Sequence, residues 1–311
     1  MRFIRTAFLA TTILSAGGSV AQADVKVVTS IKPVHSLVSA VMAGVGEPSL
    51  LVKGAGSPHT YALKPSQAQL LQDAELVFWM SHDLEAFLEN SIESIATNAK
   101  SVPLMEAHGL TKLAFREGGA FDSHGHEDHD EHKHDEHAHH GEDPHVWLDP
   151  VNAKAMVHEI EEALVEADPS NAAAYEANAE ALMSRLDDLV AEIDAELEPV
   201  KGRGYVVFHD AYQYFETRFG VSAVGSITVS PEVLPGAERV AELQDKVRDL
   251  GATCVFSEPQ FEPKLVATVT ENTNAGTGVL DPLGTSIDDG PDLYFTLIRN
   301  MAASLKGCLL K

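Results

Sequence analysis

The chain is expected to fold as two α/β lobes, each a parallel sheet flanked by helices, joined by one long spine helix. Three observations point there. In the first half, short apolar runs at Val25–Thr29, Leu50–Val52, Leu76–Trp79 and near Val102 alternate with helical stretches. Such alternation implies parallel strands with crossover helices. From Asn171 to Glu198 there is neither proline nor glycine, and Ala, Glu and Leu dominate; about 28 residues at 1.5 Å each give roughly 42 Å. The alternation then resumes at Tyr205–Phe208, Val221–Ile227, Cys254–Ser257 and Gly278–Leu280.

The elements follow in chain order. Basic Arg2 and Arg5, an apolar run over Ala7–Ala16 and Ala21-Gln22-Ala23 describe a secretory signal peptide at 1–23. The run is too short to span a bilayer. No cysteine follows it, so a lipoprotein-type anchor is not expected, and the mature chain should start near Asp24 and be soluble. The first lobe, 24–168, has helical signals over Pro33–Ala43, a helix opened by Pro65-Ser66 with Ser66 as N-cap, and another over Asp83–Asn98. The linking segment, 169–202, starts at Asp168-Pro169. It places Leu182, Leu186, Leu189 and Ile193 at helical spacing and stops at Pro199 and Gly202. The second lobe, 203–311, adds helices over Ala237–Leu250 and Pro263–Asn272.

A formal charge of −25 argues against nucleic-acid and anionic-membrane partners and favours cations. Cys254 and Cys308 are the only cysteines. In an exported chain two cysteines most often pair, the alternative being two buried thiols.

Eight histidines crowd the acidic segment 122–142: His124, His126, His129, His132, His134, His137, His139 and His140. Glu127, Asp128, Asp130, Glu131, Asp135 and Glu136 lie between them. Imidazole and carboxylate are ligands for borderline divalent metals. The segment has almost no apolar side chains to bury, so it reads as a loop inserted in the first lobe. Ordering a loop to coordinate costs entropy, so it should gather metal through weaker sites. The plainer reading is a solvated acidic loop.

A fixed geometry must come from elsewhere. His59 lies in the glycine-rich loop after the second strand, His145 in Asp143-Pro-His-Val-Trp, and His209 at a strand end; Asp281 closes another strand. Ligands of open α/β sheets bind beyond the carboxyl ends of the strands. Three imidazoles and a carboxylate match a tetrahedral zinc site. A single histidine after a strand is more often a hydrogen-bonding loop residue, and the spacing of these four does not decide the matter. His35 and His158 fall in helical stretches, His82 follows a strand, and His108 reads as a turn. Glu258 is either support for a histidine or a plain loop carboxylate.

The local sequence around these residues does decide. The chain resembles the high-affinity zinc-binding periplasmic proteins of bacterial ABC importers over essentially its whole mature length. The resemblance is carried by Thr29-Ser-Ile-Lys-Pro, His59-Thr-Tyr-Ala-Leu-Lys-Pro-Ser, the acidic His-rich insertion and His145-Val-Trp-Leu. It continues in Phe208–Glu216, Pro231–Ala237, Ala252–Phe261 and Leu280–Thr285. It implies that His59, His145 and His209 hold Zn²⁺ between the lobes, that Cys254 and Cys308 form a disulfide, and that the metal passes to an inner-membrane ABC zinc permease. Manganese-binding relatives carry glutamate where His209 stands here, and imidazole suits zinc better than manganese; copper and nickel would also accept such nitrogen ligands.

One position departs from the pattern. Some members place a carboxylate just before the first histidine; here Pro58 cannot coordinate through its side chain. The fourth ligand is then Asp281 or water, with Asp281 favoured because structural-type zinc sites are usually closed by protein. An organic substrate is not expected, and a monomer is. A zinc hydrolase would also use three histidines and water, but no H-E-x-x-H helix motif is present. A metal buffer built on the His-rich loop is the remaining alternative.

Overall fold

The computed structural model describes residues 25–116, 121, 141–228, 237–249, 253–261, 264–271 and 273–311. The expected signal peptide and the eight histidines of the insertion lie outside the described residues. Among the described residues, no helix is long and apolar enough to cross a membrane.

The first lobe contains β1 (Val27–Thr29), α1 (Lys32–Val41), β2 (Ser49–Leu50), α2 (Pro65–Gln72), β3 (Leu76–Trp79), α3 (Ala86–Ile95), β4 (Lys100–Pro103) and α4 (Pro150–Ala167). Its four strands are all parallel, in the order β2-β1-β3-β4. The spine is α5 (Ala172–Leu197). The second lobe contains β5 (Gly204–His209), α6 (Gln213–Phe219), β6 (Ser222–Thr228), α7 (Ala237–Asp249), β7 (Cys254–Ser257), α8 (Lys264–Thr270), β8 (Gly276–Val279) and α9 (Leu293–Leu309). Its sheet is again parallel, in the order β6-β5-β7-β8. Each sheet reverses strand order beside its first strand, between β1 and β3 and between β5 and β7. Such a switch point opens a crevice at the carboxyl ends of the strands.

The spine is amphipathic, as its spacing predicts. Leu182, Leu186, Leu189 and Ile193 are all buried, and each contributes roughly 1.5–3 kcal/mol of burial free energy. They join one core that runs through both lobes, from Val34 and Leu37 on α1 to Leu297, Ile298, Met301 and Leu305 on α9. Helix α9 has no counterpart in the sequence-based expectation. Its aromatic residues, Thr296 and Gly307 dilute helix propensity, yet its buried positions recur every three or four residues. Tertiary burial of that stripe makes the helix. A smaller difference concerns α2. Pro65 fills its first turn, so Lys64 is the N-cap rather than Ser66, and the Lys64 amide donates to Gln67 Oε1 at 2.8 Å.

A disulfide joins Cys254 on β7 to Cys308 on α9, a sequence separation of 54. It ties the second sheet to the helix that packs against the spine. Closing a loop of that length restricts the unfolded chain by about 4 kcal/mol in the chain-entropy model. Reduction is therefore expected to lower the thermal unfolding midpoint. Alkylation of the unreduced, unfolded protein should find no free thiol; two labelled cysteines would contradict the bond.

Candidate metal centre

The chain supplies three imidazoles from three separate segments, two loop turns and one strand end. His59 sits in a 3-10 turn, Pro58–Thr60, on the loop after β2. Ser57 caps that turn in an extended conformation, and Pro58 opens it with a fixed φ that suits a first helical position. His145 immediately precedes a second 3-10 turn, Val146–Leu148, and the amide of Leu148 donates to its carbonyl at 3.1 Å. His209 is the last residue of β5. Their ring nitrogens converge within 4.8 Å of one another, and among the described residues no other group of three metal-ligating side chains does so. Ring centroids lie 5.3 Å apart for His145 and His209, 5.6 Å for His59 and His145, and 5.8 Å for His59 and His209.

The tautomers follow from the partners. His145 Nδ1 lies 2.6 Å from Asp143 Oδ1, and His209 Nδ1 lies 2.7 Å from Glu258 Oε1. A carboxylate accepts and never donates, so each Nδ1 carries the proton and each Nε2 presents a lone pair inward. The two Nε2 atoms are 3.4 Å apart, an approach suited to a shared cation. His59 Nε2 is buried with no hydrogen-bond partner. Burial and the two neighbouring imidazoles push its pKa down to about 2, so it stands there as the neutral ligand form. For His209, burial disfavours charge, but Glu258 outweighs it and the pKa rises. The local potential therefore favours positive charge.

Of the two supporting carboxylates, Asp143 is held through both oxygens, whereas Glu258 Oε2 is buried without a hydrogen-bond partner. Asp143 is fully buried; its Oδ2 accepts from Gln213 Nε2 at 2.7 Å, and its carbonyl accepts from the Tyr214 hydroxyl at 2.7 Å. Both donors lie on α6 of the other lobe, and α6 stops at Gly220, whose left-handed φ of 66° suits a helix terminus. Asp210, next to His209, accepts from Arg116 Nε at 3.0 Å, and Arg116 also donates to Glu216 at 2.7 Å. Glu258 thus proves to be the histidine support that the sequence left open. Asp143 enters the sequence reading only as context for His145; its position two residues before a histidine, across a proline, is the available signal.

The group that converges within 4.8 Å comprises the three histidines, and Asp281 stands outside it. Its Oδ1 accepts from the amides of Leu283 and Gly284 at 3.1 and 3.0 Å, and its Oδ2 accepts from the amide of Thr285 at 2.6 Å. Gln260 Nε2 donates to Oδ1 at 2.9 Å. A carboxylate so engaged organises the turn after β8. The other described histidines also stand outside the group. His82 is exposed and pairs with Glu89, His35 bonds the carbonyl of Pro48, and His158 is exposed on α4.

The triad lines a cavity of about 10 Å³, walled by Pro58, Trp147, Phe261, Pro282 and Leu283. That is space for one water-sized guest, an ion rather than an organic molecule.

Two α/β lobes, a helical spine and a buried histidine triad at the seam define a metal-binding solute receptor. The family described as zinc-uptake complex component A, periplasmic, matches residues 27–308, and the chain belongs to it. It is 54% identical over its whole length to the whole high-affinity zinc uptake system protein ZnuA of Brucella suis. It is 37% identical to that of Yersinia pestis, covering 99% of this chain and 98% of the relative. Among solved structures it resembles a ZnuA crystal structure, with a TM-score of 0.76 and 27% identity over 92% of this chain and 99% of the other. A zinc-bound ZnuA deletion mutant superposes with a TM-score of 0.72 at 25% identity, covering 92% and 98%. The chain is thus a periplasmic zinc-binding protein of a zinc uptake system, not an enzyme.

Removing a supporting carboxylate frees a ligating ring to rotate and removes the charge behind it. Asp143→Asn and Glu258→Gln are each expected to weaken zinc binding roughly 10–100-fold. Competition against a chromogenic chelator measures this; an unchanged affinity in either would remove that residue from the site.

Proposed function

We propose that the protein captures Zn²⁺ at His59, His145 and His209 and delivers it to an inner-membrane ABC permease. The observation that carries this reading is the convergence of three imidazoles, one with an orphaned Nε2 and two keyed by buried carboxylates. Closed tetrahedral zinc needs a fourth ligand, and with Asp281 spent on its turn that ligand is solvent. His59 and His145 belong to the first lobe, 24–168, and His209 to the second, 203–311, with 169–202 between them, so the ion bridges the seam. Residues 1–23 direct export and are then removed, and the mature protein acts as a monomer.

In this reading the segment 122–142 gathers metal at weaker sites through His124, His126, His129, His132, His134, His137, His139 and His140, while the triad holds it. The pure-buffer alternative reverses that division of labour. The relatives named for zinc uptake support transport over buffering.

Isothermal titration of the mature protein tests the site directly. One tight zinc per chain is expected, and His209→Ala should lower its affinity by orders of magnitude; retention of tight binding would refute the triad. Deletion of 122–142 is expected to remove weak sites and keep the tight one. Loss of the tight site from a correctly folded deletion would instead favour the buffer reading.

A further inference from the structure

Resting on the triad as the zinc site, the geometry points to Gln260 as the residue that holds a zinc-bound water at the fourth vertex, through its side-chain carbonyl Oε1. Gln260 follows β7 by three residues, two beyond Glu258, and lines the same cavity as the three histidines. Its amide orientation is fixed by its partners. Nε2 lies 2.9 Å from Asp281 Oδ1 and 2.9 Å from Thr285 Oγ1. A carboxylate can only accept, so the amino group must face it. That leaves Oε1 turned the other way, and it is buried with no donor.

A buried acceptor without a donor costs free energy and calls for a partner. The neighbouring groups do not offer one. The Nδ1 protons of His145 and His209 are committed to Asp143 and Glu258, and the wall residues Pro58, Phe261 and Leu283 have apolar side chains. Ser57 also lines the cavity, but its hydroxyl is itself without a partner and so does not reach Oε1. A water on zinc would supply the missing donor. Zinc polarises the O–H bonds of a bound water, making it a better donor than a free one. A neutral amide oxygen is a poor competitor for zinc itself against imidazole and carboxylate, the usual ligands. It is well suited to accept from the water instead. The carbonyl would then fix where the fourth ligand stands, as Asp143 and Glu258 fix two of the rings.

Asp281 enters this arrangement one step back. It receives the amino end of Gln260 and, through the amides of residues 283–285, anchors the turn that supplies Leu283 to the cavity wall. A residue at a strand end with ligand chemistry thus aims a neighbour rather than the metal.

Cobalt(II) replaces zinc and reports its coordination in visible absorption. In the loop-deleted protein loaded with Co²⁺, azide is expected to displace the water and shift the spectrum. Gln260→Leu should weaken zinc binding roughly 10–100-fold. It should also strengthen azide binding to the cobalt form, because azide no longer strands a buried carbonyl when the water leaves. Thr285→Val removes one partner of the amide but leaves Oε1 in place, so its azide response should match the parent. A merely structural role for Gln260 predicts that Thr285→Val behaves like Gln260→Leu, which would overturn the assignment. So would a cobalt spectrum indifferent to azide, or a Gln260→Leu protein unchanged in both zinc and azide affinity. Circular dichroism of each variant confirms folding. Tight zinc binding without an azide response refutes only the bound water, whereas absence of tight zinc binding refutes the triad.

Discussion

Two carboxylates stand behind two imidazoles, and many of the surrounding polar contacts exist to keep them there. Asp143 and Glu258 are almost wholly buried, and a buried carboxylate is tolerated only when it is paired and hydrogen-bonded. Each orients a ring and selects its tautomer. Together they place two carboxylates behind two of the three imidazoles, a local charge suited to a divalent cation. Read from sequence, that balancing role falls to Asp281 as a direct ligand. In the structure two carboxylates, Asp143 and Glu258, stand behind the rings instead.

The demands of Asp143 explain the lobe contact. Its carboxylate and carbonyl are satisfied by Gln213 and Tyr214 on α6, so the support for a first-lobe ligand is completed by the second lobe. Other bonds follow the same seam. Trp147 Nε1 donates to the carbonyl of Pro282 at 2.9 Å, the Tyr294 hydroxyl to the carbonyl of Trp147 at 2.6 Å, and Arg218 makes two 2.7 Å bonds to Asp149. Buried Lys32 at the start of α1 donates to the carbonyl of Ile287 at 2.6 Å.

Legibility in the sequence divides along physical lines. The inner strands β1, β3, β5 and β7 and the spine are plain because burial on both faces gives apolar runs and an amphipathic helix gives a regular stripe. The three histidines are identifiable as strand-end residues but not as a set, because residue spacing does not report which ends meet; motif resemblance supplies that. Asp281 stands outside the group for a definite reason. Strand-end position and ligand chemistry are both right, but backbone amides two to four residues ahead claim its oxygens, a local competition that a ligand count does not register. Helix α9 escapes detection because its aromatic residues, Thr296 and Gly307 weaken the local helix signal, while the core it completes is assembled from segments far apart in the chain.

The seam also bears on how metal is held. The core runs unbroken through α1, α5 and α9, and the polar bonds across the seam do not involve the metal. The three rings are therefore already within reach of one another in the folded chain. Ordering side chains at the moment of binding costs free energy that a preassembled site has met during folding. The exception is His59, whose Nε2 has no partner and whose 3-10 turn lies on a loop rather than a strand. It is the one ring of the three without a supporting carboxylate. The triad is thus unequal by construction: two rings are set by buried carboxylates, and the third, His59, sits on a loop turn with its Nε2 unpartnered.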